Sequence, residues 1–131
     1  MALASYPFES KSNHFEANKL LINEELLISA HEDKSIRFFD LRTPKAVKSI
    51  IAHSDSVSSL SFLPAKKHFA SVGHDGSLRI WDYRNFKCIY EMPVHKKKFQ
   101  EACNCVGVDT NMNLLATGGS DGLVNLFNCP I

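Results

Sequence analysis

The chain has 131 residues, enough for one domain with a real core. Its 15 Lys and Arg against 14 Asp and Glu leave a formal charge of +1, which argues against a polyanion or an anionic membrane as the main partner. No apolar run approaches the roughly 20 residues needed to cross a bilayer, and "MALASYPFES" lacks the basic start and apolar core of a signal peptide, so a cytoplasmic protein is expected.

In chain order, residues 1–14 match nothing else in the sequence and stand as an N-terminal segment, or the remnant of a preceding strand. From residue 15 onward the chain repeats itself, in units of about 15–50, 51–92 and 93–131. The first unit holds "LISAHEDKSIRFFD" (27–40), the second "FASVGHDGSLRIWD" (69–82) and the third "LATGGSDGLVNLFN" (115–128), at offsets of 42 and 46. Ser29, Ser71 and Thr117 correspond, as do Asp33, Asp75 and Asp121, and Phe39, Trp81 and Phe127. The first offset, carried outward, sets Phe15 on Val57, Leu20 on Phe62 and His53 on His95. The four extra residues of the third unit then fall in or near "KKKFQEA".

Four short strand-like runs mark the second unit: "VSSLSF", "HFASVG", "SLRIWD" and "KCIYEM". The turn signals "PAKK", "HDG" and "YRNF" separate them, which predicts a four-stranded antiparallel meander. Asp75-Gly76 and Asp121-Gly122 suit tight hairpins, whereas Asp33-Lys34 is a weaker turn. Helix has little support beyond one turn in "KKKFQEA". Cys88, Cys103, Cys105 and Cys129 lack paired zinc spacing and are expected as buried, reduced thiols, with Cys103 and Cys105 on one strand face. No metal and no cofactor is expected.

A period near 42, a histidine opening the unit and "RIWD" closing its third strand resemble the WD-repeat signature of β-propellers. The expected fold is therefore all-β: a partial WD-repeat β-propeller of about three four-stranded antiparallel blades, the last lacking its fourth strand. Taken in order, "ISAHEDKSIRFFD", "IAHSDSVSSL", "GHDGSLRIWD", "HKKKFQEA" and "LVNLFNCPI" are similar to the C-terminal blades of the striatin family. That resemblance implies a non-catalytic scaffold gathering protein phosphatase 2A, kinases and adaptors into one assembly. The family's coiled-coil and calmodulin-binding parts precede its propeller and are not expected in this chain.

In propellers of this kind His53, Ser71, Asp75 and Trp81 would form one hydrogen-bonded network, repeated as His95, Thr117 and Asp121 and partly as Ser29 and Asp33, with Lys11 at the place of His53. Each polar group then has a partner, since indole only donates while imidazole and hydroxyl do both. A hydrolase triad uses the same residue types, but Ser71 lies inside a predicted strand without a nucleophile elbow, and a repeated set reads as structural. No small-molecule substrate is expected. Two surfaces are candidates for protein binding: the turn residues His31, Glu32 and His74, and the run Lys96, Lys97, Lys98 and Phe99. The same run could contact nucleic acid, a reading the near-neutral charge opposes; a WD-repeat adaptor of an unrelated complex is the closer alternative. Three repeats do not close a ring, so missing blades or self-association would have to cover the open faces.

Overall fold

Short strand-forming runs separated by turn residues build the regular elements among the described residues. The computed structural model describes residues 16–129 apart from 24, 43–44 and 65–66; the segment 1–14, Lys11, Phe15 and part of the "PAKK" turn lie outside the described residues. The first sheet runs β1 (Ala17–Ile22), β2 (Leu26–His31), β3 (Ser35–Asp40) and β4 (Lys45–Ile51). The second runs β5 (Val57–Phe62), β6 (His68–Gly73), β7 (Ser77–Asp82) and β8 (Lys87–Pro93), and the third β9 (Cys103–Asp109), β10 (Leu114–Gly119) and β11 (Val124–Asn128). Neighbours in sequence pair antiparallel throughout, so each sheet is a meander and, among the described residues, the third has three strands. The first strands of successive sheets pack side by side, β1 on β5 and β5 on β9.

Sheet 2 is the middle layer and buries both faces. Leu60, Phe69 and Trp81 pack with Ile28, Ala30, Ile36 and Phe38 of sheet 1. Ala70, Val72, Leu78 and Ile80, on the other side of the pleat, pack with Cys103 and Leu115 of sheet 3. Phe69 lies nearly parallel to Trp81, with centroids 6.4 Å apart, and meets Phe38 edge-on at 5.9 Å.

The pairing corrects the repeat register in the innermost strands. Leu20 faces Ser29 just as Leu60 faces Ser71, so Leu20 matches Leu60 and not Phe62, and Ile22 takes the place of Phe62. The turn after β1 is two residues shorter than the one after β5. Asn23 closes it by accepting hydrogen bonds from the amides of Glu25 (2.9 Å) and Leu26 (2.7 Å). A β-bulge interrupts each first strand at the same place, at Asn18, Ser58 and Asn104. Because the extra residue in β9 resets the alternation, Cys103 is buried while Cys105 is exposed, contrary to the expectation that both share a face. Cys88 on β8 is exposed as well, so only Cys103 and Cys129 of the four are buried.

The four extra residues of the third unit form a hairpin where a helical turn was expected. Lys98 and Glu101 exchange two backbone hydrogen bonds, 2.5 and 3.0 Å, around Phe99 and Gln100. Elsewhere the tight turns take a left-handed residue after the aspartate: Gly76 and Gly122, both at φ +81°, and Lys34 at φ +76°.

The two glycines separate backbone strain from contact between sheets. A Cβ at Gly76 would lie 2.3 Å from the His95 carbonyl oxygen, whereas one at Gly122 would meet nothing within 4 Å. Gly122→Ala should cost about 1 kcal/mol from its positive φ alone and Gly76→Ala about 3 kcal/mol. Urea denaturation midpoints would check this, and equal losses would mean that the entry to sheet 3 yields freely.

Candidate functional site

Ser71, at the middle of β6, accepts a hydrogen bond from the Trp81 indole N–H (2.8 Å) and donates its own proton to His53 Nε2 (2.7 Å). That leaves His53 Nδ1–H facing Asp75, 3.1 Å from both carboxylate oxygens, with Ser77 Oγ at 3.0 Å. Asp75 also accepts from the Ser77 amide (3.0 Å) and hydroxyl (2.8 Å) and from the Ser54 amide (3.1 Å). Burial opposes charge on Asp75, but the hydrogen bonds from His53 and Ser77 outweigh it and hold the carboxyl far below the usual carboxylate range. Ser71 and the His53 ring are fully buried, so this trio presents no nucleophile at the surface.

In sheet 3 the chain of bonds recurs without the indole. His95 Nε2 accepts from Thr117 Oγ1 (2.9 Å) and Nδ1 meets Asp121 at 2.9 Å, while Phe127 stands where Trp81 would donate. Asp121 is lowered too: burial works against it, and the Leu123 amide and His95 more than compensate.

Sheet 1 solves the same problem differently. Asp33 turns to Ser35 (Oγ at 2.5 Å) and to the Arg37 guanidinium (2.6 Å), and no histidine reaches it among the described residues. His31, expected on the exposed turns, is buried and shares a 2.7 Å hydrogen bond with Ser29 through Nε2. The reason is steric: His31 occupies the place of Gly73 and Gly119, where an incoming histidine ring leaves no room for a side chain. A Cβ at Gly119 would lie 2.3 Å from His95 Nδ1. Ser77 and Ser35 were missed by sequence reasoning, although the Asp-x-Ser spacing shared by 33–35 and 75–77 was there to be read.

The remaining surface candidates gather on the face formed by these turns. Glu32 is exposed, and His74 is half-buried because its Nδ1 accepts the Ala102 amide at 3.3 Å. Lys96, Lys97 and Lys98 are exposed, but Lys97 is committed to Asp55 at 2.5 Å, and that ion pair lowers the Asp55 carboxyl. Phe99 is 89% exposed at the tip of its hairpin, with Lys98 Nζ 5.6 Å above the ring. Phe99 (φ +52°) and Gln100 (φ +70°) are both left-handed, a two-residue turn that normally takes Asn-Gly, so roughly 1 kcal/mol of strain is held in each. The base is pinned: the His95 amide donates to the Gly76 carbonyl (3.2 Å) and the Ser120 amide to the Ala102 carbonyl (2.7 Å).

At the opposite end of sheets 1 and 2 a cleft of about 790 Å³ is floored by Leu26, Phe62 and Tyr83. The guanidiniums at its rim are already engaged, Arg42 by Asp40 and Arg84 by Asp82. Among the described residues no three His, Cys, Asp or Glu side chains converge as metal ligands would. Burial pushes the Cys103 thiol up to about 12, which keeps it protonated.

The WD domain, G-beta repeat family matches residues 44–82 and 86–128, well over half of the chain. Among curated proteins the chain is similar to Striatin-4 of Homo sapiens, 41% identical over 105 residues, which is 80% of this chain and 14% of that protein. A Striatin homolog of Dictyostelium discoideum is 38% identical over 103 residues, 79% of this chain and 12% of the homolog. Striatin of Mus musculus is 33% identical over 129 residues, 97% of this chain and 16% of that protein. The chain thus spans about a seventh of the length of the relatives it matches.

Two measurements test the network. Asp75→Ala strands the His53 Nδ1 proton and both Ser77 donors and should cost about 3 kcal/mol, whereas Trp81→Phe removes one neutral donor and should cost about 1–2 kcal/mol. Sheet 3, which keeps its histidine bonds beside Phe127, already has the second arrangement; equal denaturation midpoints would overturn the ranking. Because the Asp75 carboxyl is lowered on folding, its contribution is complete above about pH 4, the unfolded value, and drains as pH falls through the folded value. The gap in stability between the wild type and Asp75→Asn should therefore shrink as pH falls below about pH 4.

Proposed function

The chain belongs to the WD domain, G-beta repeat family as a striatin-type WD-repeat region, and from that premise we propose that it docks components of a phosphatase 2A–kinase assembly through its turn face. WD repeats and striatin relatives support a scaffolding, protein-interaction role in general; the particular partners follow only from the striatin resemblance. The observation that carries the choice of face is Phe99, a large aromatic held 89% exposed on a strained hairpin with a pinned base. A pre-formed aromatic beside Lys98, with exposed Lys96, Gln100 and Glu101 in the same segment, matches the makeup of interface anchors, an apolar centre with a charged rim. No helix among the described residues is long and apolar enough to cross a membrane, and the four free cysteines suit a reducing compartment, so a cytoplasmic location is part of the proposal.

The competing readings separate cleanly. Tagged chain purified from cells should carry phosphatase 2A subunits and kinases, and Phe99→Ser should reduce their recovery about tenfold, the usual size of a lost hot spot, while Phe99→Tyr retains it. Equal recovery with Phe99→Ser would move docking to another face. A complete lack of phosphatase components would favour an adaptor of an unrelated complex. Binding to single-stranded RNA that weakens steeply with salt would instead assign the lysine run to phosphate.

A further inference from the structure

The charges of the turn face are unequally committed. Asp75 and Asp121 are held by His53 and His95, with 8% and 14% of their side chains exposed, and Asp33 is held by Arg37. Asp55, in the loop that leads into β5, is taken by Lys97 at 2.5 Å. The charged side chains left in the hairpin segment are Lys96, Lys98 and Glu101, all exposed, and Glu101 accepts a hydrogen bond from Ser120 Oγ (3.3 Å). Among the described residues neither the Lys96 nor the Lys98 ammonium pairs with a carboxylate.

Phe99 shares its surroundings with one of these two cations. Lys98 Nζ lies 5.6 Å from the ring centroid, within range of the attraction between an ammonium and an aromatic face. Any partner that covers the ring therefore also draws the Lys98 ammonium out of water, and a cation desolvated without a counter-ion is costly. A partner that met the lysines alone would gain little, because exposed ion pairs contribute almost nothing. Both demands are met together by an apolar side chain with carboxylates beside it. A run of nucleic-acid phosphates fits less well, since Lys97 is spent on Asp55 and Glu101 stands in the same hairpin.

We infer that the Phe99 hairpin takes an acidic peptide segment, an aliphatic or aromatic side chain covering the Phe99 ring while neighbouring Asp or Glu residues pair with Lys96 and Lys98. The inference rests on the turn face being the docking surface and adds the chemistry of what docks there. Lys97 has a different part: its pair with Asp55 ties the hairpin to the loop before β5 and so positions the other two lysines.

Selection of a random peptide library on the 131-residue chain tests it, with affinities of the selected peptides then measured by fluorescence polarisation. The selected sequences should be enriched in Asp and Glu around an apolar residue. Lys96→Glu/Lys98→Glu and Phe99→Ser should each weaken them about tenfold or more. Lys67→Glu/Lys87→Glu, an equal change of charge on exposed residues away from the turn face, should leave affinity unchanged. Circular dichroism melts would verify that each variant folds, and Lys96→Gln/Lys98→Gln is the milder substitute. Affinity should also fall as salt rises from about 0.1 to 1 M, where the screening length drops from about 10 to about 3 Å. The inference is overturned if no peptide is selected, if the selected peptides carry no excess of acidic residues, or if charge reversal at 96 and 98 leaves their affinity intact. Oligouridine bound more tightly than the peptides, and lost on the same reversal, would assign the lysines to phosphate and overturn it too. Neutral peptides that need Phe99 but neither lysine would refute the inference and leave the docking face standing, whereas acidic peptides that need all three, with no phosphatase component recovered from cells, would support it and remove only the partners proposed above.

Discussion

A buried imidazole has two nitrogens with opposite needs, one to receive a proton and one to give it, and the architecture of sheets 2 and 3 follows from meeting both. His53 and His95 sit in the loops that lead into their sheets, so the residues that satisfy them tie loop, second strand and turn into one piece. The acceptor side requires a hydroxyl in mid-strand, Ser71 or Thr117; the donor side requires an aspartate in the hairpin turn. The ring also needs space, which is why Gly73 and Gly119 lie beneath it. In a site this dry an unmatched nitrogen would cost more than any single apolar contact contributes, so the polar residues set where the strands can lie and the apolar ones fill what remains.

Sheet 1 shows that the constraint belongs to the buried groups and not to the motif. With a side chain at position 31 in place of glycine, a histidine entering as His53 does would collide with it; His31 supplies the imidazole from within the strand and bonds Ser29 directly. Asp33, which no histidine reaches among the described residues, takes Arg37 and Ser35, and its carboxyl remains lowered because those partners outweigh the cost of burial. Lys34 meanwhile adopts the left-handed turn position that glycine holds in the other two sheets. Three repeats of one plan therefore differ most where a buried partner was exchanged.

The same distinction explains what could be read from the sequence. Strands, turns and the three-sheet plan were legible because period-2 alternation and Asp-Gly turns are local signals. Gly73 and Gly119 were visible as letters, but their role depends on a ring contributed from some twenty residues away. The exchange at His31, which placed it on the exposed turns when read by alignment alone, was invisible for that reason. Bulges hid more: one unpaired residue in β9 sends Cys105 to the surface, and no residue type announces it. The register of β1 was misread by two residues because the turn after it is shorter, a difference that pairing resolves and alignment of the aspartate turns does not.

The hairpin over residues 98–101 stands apart from this economy. Here two left-handed residues without glycine stand side by side, and the side chain of the first is directed into solvent. A sequence free to relax would place glycine at one of these positions. The strain persists because the flanking residues are fixed: His95 is locked by Asp121 and Thr117, and Ala102 by His74 and Ser120. The buried histidine network thus reaches the surface through its own loop, converting rigidity in the core into a fixed direction for Phe99. An aromatic held in this way loses little conformational freedom when a partner closes over it, which gives a scaffold affinity without requiring a large interface.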